Sequence, residues 1–349
     1  MAMIMANSKK AQEAYTLVSA LQKRFVDKLD ALSQNFGANK KFKEVTWLRD
    51  EGQHGGGNRF EAQDKELFNT ASVNVSQVHY DDNPDKNLQS ATAVSTIIHP
   101  DNPHVPSVHI HISLTELRNA PSYWRIMADL NPAIANEEDK KTFDDALKKL
   151  GGENYETGKT QGDKYFTIPA LQRTRGISHF YLENYKTEHK EADADFAKSF
   201  GEGIIDTYID IIQNAFQNRT KISKEDMQKQ LDYHTLYLFQ VLTLDRGTTS
   251  GLLIHNQNDV GIMGSLPLHV NKKLLLSWKG KVPKPQDELV QNIADAINDN
   301  EIIDTQAKEK LAQVVRTYYK KYPQALSMQA SGNTIQNTVK NHKNTVFFR

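Results

Sequence analysis

Four histidines lie close together in residues 91–113, ATAVSTIIHPDNPHVPSVHIHIS, and they carry the clearest chemical potential of the chain. The segment predicts two β-strands joined by a turn that contains two X-Pro steps. In the second strand, alternate side chains point to opposite faces of a sheet. The apolar face consists of Val108, Ile110, Ile112 and Leu114, and the polar face consists of Ser107, His109, His111 and Ser113. His99 and His104 lie nearby in sequence, so the polar face is expected to border a cleft.

Two kinds of chemistry are open to these imidazoles. His109 and His111, with a carboxylate such as Asp101, match the ligand types of a two-His-one-carboxylate iron site. A hydrogen-bonded polar strand face without a metal uses the same residues. The sequence alone leaves both interpretations open.

Arginines and one acid are the remaining candidates. Gly55–Gly57 with Arg59 could cradle an anion or form a tight loop. Arg175 and Arg246 each precede a glycine at the end of an apolar segment. An arginine in this position can bind a ligand carboxylate or form a salt bridge with a nearby acidic residue. Asp129 precedes a Pro-containing turn. Arg125, beside two aromatic residues, offers a cation to a flat anionic ligand or belongs to an ordinary amphipathic stretch.

Composition limits the classes of function. The 349 residues include 43 Lys and Arg and 43 Asp and Glu, which argues against general nucleic-acid binding. There is no cysteine, which excludes disulfides and thiolate chemistry and is consistent with a cytoplasmic location. No apolar run reaches the length of a membrane span. A soluble protein is expected.

The hydrophobic pattern predicts an α+β fold, with a large antiparallel sheet flanked by helices on both faces, because strands and helices do not alternate regularly. The predicted helices are 8–36, 136–150, 196–217, 286–299 and 304–321. The predicted strands include 71–80, two within 44–64 and a central apolar strand at 234–244. Glycine-rich 151–163 is predicted as a loop, the segment after Asp245 as a hairpin-like return, and residues after 327 as a polar tail.

Several motifs together resemble the oxygen-dependent coproporphyrinogen III oxidase family. They cover about residues 15–280 in the family's order: WLRDEGQHGGGNRFE, ASVNVSQVHY, AVSTIIHPDNPHVPSVHIHIS, ADLNP, RGI, DRGTTSGLL and GSLP. The resemblance implies one domain over residues 1–280, followed by a helical C-terminal extension and polar tail over 281–349. It also implies a homodimer formed through about residues 237–273.

The resemblance implies an activity as well. The family uses O₂ and no organic cofactor to convert two propionates of coproporphyrinogen III to vinyl groups in haem biosynthesis. A divalent metal has been assigned in part of the family, and the matching positions are His99 and His109. Asp129 matches the family's carboxylate that accepts hydrogen bonds from pyrrole N–H groups, and His109 its candidate proton donor. Substrate-binding positions correspond to Ser95, His111, Arg59, Arg175 and Arg246.

Some family positions differ in this chain. Arg125-Ile126-Met127 stands where the family has three glycines, and Arg125 is a candidate replacement for substrate-binding arginines that are missing near Ser113 and in the His255–Asn258 region. Three hypotheses therefore follow: a coproporphyrinogen III oxidase, a tetrapyrrole-binding homologue without that activity, and a histidine-based metal-dependent oxygenase for another substrate.

Overall fold

The structure, a computed structural model, describes residues 2–254 and 257–332. Its centre is a seven-stranded antiparallel sheet in the order β1-β2-β3-β4-β5-β6-β9. The strands are β1 (Lys43–Leu48), β2 (Gly55–Glu61), β3 (Phe68–His79), β4 (Leu88–Pro100), β5 (Ser107–Leu117), β6 (Tyr123–Asn131) and β9 (Ser178–Tyr185). A separate short pair, β7 (Thr167–Ile168) and β8 (Arg173–Thr174), precedes β9. The predicted α+β class is confirmed.

Helices cover both faces of the sheet, as predicted. One face packs on α1 (Lys9–Phe36), α2 (Glu137–Gly151), α3 (Tyr155–Phe166) and α4 (Lys190–Asn218). The other is covered by α5 (Lys224–Thr243), α6 (Arg246–Ile254), α7 (Asp259–Ile262), α8 (Lys272–Ser277), α9 (Gln286–Ala296) and α10 (Thr305–Lys321). No described helix is both long enough and apolar enough to span a membrane.

The apolar row of β5 faces α1 and α4, as its alternation predicts. Val108, Ile110 and Ile112 are almost fully buried in the same hydrophobic cluster as Phe25 of α1 and Phe200 of α4. Burial of this row therefore turns the histidines of β5 toward the other side of the sheet.

The predicted central strand at 234–244 is wrong, because this segment is the C-terminal half of α5. Ser223 and Asp226 form a capping box that starts the helix three turns earlier. Every residue from His234 to Thr243 is buried between the sheet and the outer helices, so this half of the helix is buried on all sides. A short apolar run does not distinguish such a helix from a buried strand.

The hairpin-like return predicted after Asp245 is also wrong. This segment forms α6 and α7, and an Asp245 side-chain oxygen accepts a hydrogen bond from the Thr248 N–H at the start of α6. The Asn258-Asp259 pair that resembled a turn signal is also a helix start, since Asn258 directly precedes α7 and Asp259 is its first residue.

The predicted glycine-rich loop at 151–163 is mostly α3. Gly158 allows this helix to approach β9, because a Cβ atom there would lie 2.3 Å from the Phe180 ring. The glycine run of β2 likewise serves close packing, since a Cβ on Gly57 would lie 2.1 Å from the Val75 carbonyl oxygen of β3.

The predicted C-terminal helices are present as α9 and α10, followed by a 3-10 segment at Pro323–Met328. Both helices share one hydrophobic cluster with α5 and α8. The proposed domain boundary near 280 stays a prediction. Of the predicted polar tail, residues 333–349 lie outside the described residues.

Phe25 gives a test of the core between α1 and the sheet. Phe25 is fully buried and contacts Tyr208 edge to face, with ring centroids 6.0 Å apart. Phe25→Ala is expected to lower the free energy of unfolding by about 3–5 kcal/mol, measured by chemical denaturation. Phe36→Ala on the same helix is the control, because Phe36 is 37 % exposed. Equal losses for both variants would contradict this packing.

Candidate active site in the cavity between sheet and helices

Polar side chains form three cross-strand rows on the face of the sheet that α5 and α6 cover. The strand register places directly paired residues side by side on one face. The first row is Ser72, Ile97, His109, Asp129 and His179; the second is Asn74, Ser95, His111, Met127 and Tyr181; the third is Ser76, Ala93, Ser113 and Arg125. Residues far apart in sequence therefore meet on one surface.

A cavity of about 280 Å³ lies over these rows. Its sheet wall includes Ser95, His109, His111, Arg125 and Tyr181. Its other wall comes mainly from α5, α6 and the segment from Asn258 onward, through residues that include Tyr237, Asp245, Arg246 and Ser265. The C-terminal end of α3, which packs along the edge strand β9, adds Tyr165. The volume is just below the usual range for sites that hold drug-sized ligands. A larger ligand would need the helical wall to move outward or would extend through the mouth of the cavity.

Asp129 is buried at the base of this cavity and is fully engaged with protein groups. Its Oδ1 lies 3.0 Å from His109 Nδ1, and its Oδ2 accepts hydrogen bonds from Arg175 Nη2 at 2.7 Å and from the Asn131 amide. Asp129 is not among the described residues that line the cavity, whereas His109 and Arg175 are. The carboxylate therefore holds two groups that face a ligand.

The environment keeps Asp129 ionised. Burial alone would raise the pKa of this carboxyl, but the Arg175 charge and the His109 hydrogen bond outweigh it and hold the pKa below its usual value. An ionised Asp129 accepts the Nδ1–H of His109, which leaves Nε2 to exchange a proton with a ligand. The chain thus contains an oriented imidazole of the kind that general acid–base catalysis uses.

Arg175 links the sheet to the helical wall. Its guanidinium lies 4.4 Å from the ring centroid of Phe166 and 4.9 Å from that of Tyr237, and Nη1 donates to Gln240 at 2.7 Å. The side chain is 1 % exposed. Arg175 is therefore both a partner of Asp129 and a fixed positive charge at the cavity wall.

The other predicted arginines differ in position. Arg246 lines the cavity and forms a 2.8 Å ion pair with Glu183. Arg125 lines the cavity near Tyr123, with its guanidinium 5.6 Å from that ring centroid. Arg59 is not among the described lining residues; it contacts Glu61 at 2.6 Å and Asn258 at 3.3 Å.

The histidines assigned to a metal do not form a ligand set. His99 is completely buried, with Nδ1 2.9 Å from Ser107 Oγ and Nε2 3.2 Å from the Ser265 carbonyl oxygen. In residues 2–254 and 257–332, no group of three or more His, Cys, Asp or Glu residues is arranged to hold a metal ion. The residues present therefore do not fit the metal site considered from the sequence, and we derive no step through a metal.

His111 belongs to the hydrogen-bonded polar face rather than to a charged site. Its Nε2 lies 2.9 Å from Ser113 Oγ. Burial, together with the nearby His109 and Arg125, lowers the pKa of His111 to about 3. A neutral His111 can contact a ligand as a hydrogen-bonding group.

A second groove of about 990 Å³ is larger and lies between α7, α9 and α10. Lys310 is the one cation among its described lining residues, against Asp259, Asp295 and Glu309. Such a surface is unfavourable for a polyanionic ligand. We therefore place the candidate site in the smaller cavity on the sheet.

Sequence reasoning did not identify several residues of this cavity. Tyr165 and Asp245 share a hydrogen bond of 2.8 Å, and Tyr181 and Glu183 extend the wall along β9. Tyr237 was assigned to a strand and is instead on α5. The alternation of SHFYLENY in β9 was the available signal for Tyr181 and Glu183, since both lie on the same strand face as His179.

A fold and site of this kind define a member of the coproporphyrinogen III oxidase family. The model of the family described as coproporphyrinogen III oxidase matches residues 13–297, and the chain belongs to this family. The match includes all seven strands of the sheet and ends between α9 and α10.

Among curated proteins, the chain is similar to the oxygen-dependent coproporphyrinogen-III oxidase of Drosophila melanogaster. The two are 30 % identical over 296 residues, which cover 78 % of this chain and 73 % of the relative. The resemblance noted from the motifs is confirmed.

Asp129→Asn tests the buried cluster. The amide leaves the Arg175 charge buried without its counter-charge, which is expected to cost about 3–5 kcal/mol of unfolding free energy at neutral pH. Because the folded-state pKa of Asp129 is lowered, its contribution is present above the unfolded pKa near 3.9 and is lost as pH falls toward the folded value. The difference between wild type and variant should therefore shrink below about pH 4.

Chemical denaturation at several pH values measures this difference. Asp206→Asn is the control, because the Arg24–Asp206 pair is more than one-third exposed and is expected to contribute about 1 kcal/mol or less. A constant difference between wild type and Asp129→Asn from pH 7 to pH 3 would contradict an ionised Asp129.

Proposed function

We propose that this chain is an oxygen-dependent coproporphyrinogen III oxidase of haem biosynthesis. Its substrate is a reduced tetrapyrrole with four propionates, two of which become vinyl groups. The observation that carries the proposal is the oriented His109, held by buried Asp129 at the base of a cavity with arginines on its walls. Membership of the family supports the same reaction.

The reaction balances without an organic cofactor. For each propionate, one C–H bond and the bond to the carboxylate carbon break, CO₂ leaves, and a vinyl double bond forms. The two electrons released reduce O₂, which takes up two protons to give H₂O₂. One of these protons comes from the substrate and one from solvent or a protein group. The propionate side chain is therefore the group that is oxidised, and the electron-rich pyrrole ring, which relays the electrons toward O₂, is unchanged at the end.

His109 is the proposed proton-transfer group. Its Nδ1 is fixed by Asp129 and its side chain is 16 % exposed toward the cavity, so Nε2 is the nitrogen that can reach substrate or reduced oxygen. A positioned histidine of this type contributes about 10²–10⁴-fold to a rate. Asn131 and Arg175 keep the Asp129 carboxylate in place and so fix the imidazole.

The resemblance gives Asp129 the role of accepting hydrogen bonds from pyrrole N–H groups, and we keep this role in the proposal on the condition that the partners of Asp129 can move. Both carboxylate oxygens already have protein partners, and the side chain is 0 % exposed. A pyrrole N–H could therefore reach Asp129 only after His109 or Arg175 moved aside. In the arrangement described, Asp129 acts on the substrate through those two residues.

Substrate carboxylates are proposed to meet Arg125, Arg175 and Arg246, with Ser95 and His111 along the sheet wall. Arg175 and Arg246 are each paired with an acid, so part of their charge is already balanced. This observation favours, as a second candidate, a tetrapyrrole-binding homologue that does not turn substrate over. Arg59 is bonded to Glu61 and Asn258 and is not among the described residues that line the cavity.

The cytoplasmic location expected from the sequence and the homodimer expected through residues 237–273 also stay proposals. Within one chain, the part of this region on α5 is buried beneath the outer helices, so subunit contact would have to use more exposed parts such as Lys272 and Lys273 of α8. Light scattering of the full chain measures the mass directly.

Turnover of anaerobically prepared coproporphyrinogen III on addition of O₂ tests the function. The chain should form one H₂O₂ and one vinyl group per propionate consumed, read out by chromatography and a peroxide assay, and a chelator should leave the rate unchanged. Binding without turnover would support the non-catalytic homologue, and loss of activity with chelator would support a metal-dependent oxygenase.

His109→Asn is expected to lower kcat by about 10²–10⁴-fold with a smaller change in KM, because it removes proton transfer rather than binding. His104→Asn is the matched control, since His104 lies in the β4–β5 turn and contacts Asp226 at 3.3 Å. Equal rates for His109→Asn and wild type would exclude the proton-transfer role.

Arg125→Ala is expected to weaken binding of coproporphyrin III, the stable oxidised form of the substrate, by about tenfold to a hundredfold, because it removes a charge-assisted contact. Fluorescence titration measures the Kd. Arg118→Ala serves as the comparison, because Arg118 contacts backbone carbonyls of residues 80–86 and is not among the described cavity residues. Unchanged binding by Arg125→Ala would remove Arg125 from the site.

A further inference from the structure

The hydroxyl of Tyr181 has no part in the proton transfer proposed for His109 or in the carboxylate binding proposed for the arginines. Tyr181 lies on β9, is 4 % exposed and lines the cavity. Its ring packs edge to face on Tyr165, with centroids 4.8 Å apart, and belongs to a small cluster with Met127 and Phe166. A phenylalanine ring would supply the same packing, so the hydroxyl needs a separate explanation.

No hydrogen-bond partner for the Tyr181 hydroxyl lies among residues 2–254 and 257–332. The hydroxyl is not one of the fully enclosed polar atoms that lack a partner, so it opens onto the cavity, where a ligand or a bound water can satisfy it. Because this hydroxyl borders the cavity, a ligand there can supply the partner.

The strand register brings Arg125 close to Tyr181. Tyr181 pairs directly with Met127, and Arg125 lies two residues from Met127 on the same face of β6. Diagonal neighbours of this kind have Cα atoms about 7–8 Å apart, within reach of long side chains. The register shift between Trp124 and Ile126 marks a bulge on β9, where Glu183 and Asn184 lie opposite Arg125, and bulges re-aim side chains near functional sites.

The two acidic residues of this wall, Glu183 and Asp245, already accept hydrogen bonds from neighbouring protein groups. Glu183 is paired with Arg246 at 2.8 Å, and Asp245 accepts hydrogen bonds from the Tyr165 hydroxyl at 2.8 Å and the Thr248 N–H at 2.7 Å. An added anion beside Tyr181 would therefore meet a donor hydroxyl and the Arg125 charge, with the neighbouring acids already bonded. Burial also raises the pKa of Tyr181, so the hydroxyl keeps its proton and can donate it in a hydrogen bond.

We propose that the Tyr181 hydroxyl and Arg125 together bind one carboxylate of the substrate. The inference rests on the proposed function, since it takes the ligand to be a tetrapyrrole carboxylate. It assigns to β9 a specificity-determining residue in the cross-strand row next to that of Asp129. The neighbouring Arg246–Glu183 pair then limits how far this carboxylate can move along the wall.

Tyr181→Phe tests the proposal, because it removes the hydroxyl and keeps the ring. The control is Tyr185→Phe, on the same strand but packed against the opposite core. Coproporphyrin III and its tetramethyl ester are the two probes in fluorescence titrations of the full chain. Tyr181→Phe should weaken binding of coproporphyrin III by about tenfold to a hundredfold and leave binding of the ester unchanged.

The outcomes separate this inference from the proposed function. If wild type binds and turns over the tetrapyrrole and Tyr181→Phe binds coproporphyrin III equally well, the role of Tyr181 is excluded while the function stands. If wild type binds no coproporphyrin III, both fail. An equal loss of ester binding, or a lowered thermal unfolding midpoint in Tyr181→Phe, would show a structural role for the hydroxyl and overturn the proposal.

Discussion

The buried ion pair between Asp129 and Arg175 is the constraint on which the site depends. Removing two charges from water is costly, and hydrogen bonds to their remaining atoms offset much of that cost. Here His109 and Asn131 complete the carboxylate, while Gln240 and two aromatic faces surround a guanidinium whose Nε has no hydrogen-bond partner among the described residues. Because Asp129 belongs to the sheet and Gln240 to α5, one cluster fixes the imidazole and joins the two walls of the cavity.

The cavity has charged groups at both ends. Asp129, His109 and Arg175 lie at one end, and Arg125 with the Arg246–Glu183 pair lies at the other. Arg125 and Asp129 are four residues apart on β6, which corresponds to roughly 13 Å along a strand. A large ring with acidic groups on its edge suits this arrangement, since one edge can meet the proton-transfer group while another is held by arginine.

Much of this arrangement could be predicted from local sequence. The alternation in β5 identified which side of the strand carries His109 and His111, because burying Val108 and Ile110 leaves only one orientation. The opposing wall could not be predicted in the same way. The uniformly apolar run at 234–244 fits a buried strand and a buried helix equally, and only tertiary packing decides between them. Partners such as Arg175 with Gln240 depend on that packing.

Motif similarity added what periodicity could not, namely the chemistry expected of Asp129 and His109. It placed Arg59 among the substrate-binding residues, whereas the structure shows Arg59 in contact with Glu61 and Asn258. Nor did it indicate Tyr181, because a residue whose role comes from its neighbours across the sheet has no local signature beyond strand alternation.

A crystal structure of the chain with bound coproporphyrin III would show whether the substrate binds beside His109. We expect the macrocycle between the β5–β6 face and α5–α6, with an atom of the ring or a side group within hydrogen-bond distance of His109 Nε2. A macrocycle in the groove between α7, α9 and α10, or one separated from His109 by intact protein, would contradict this expectation.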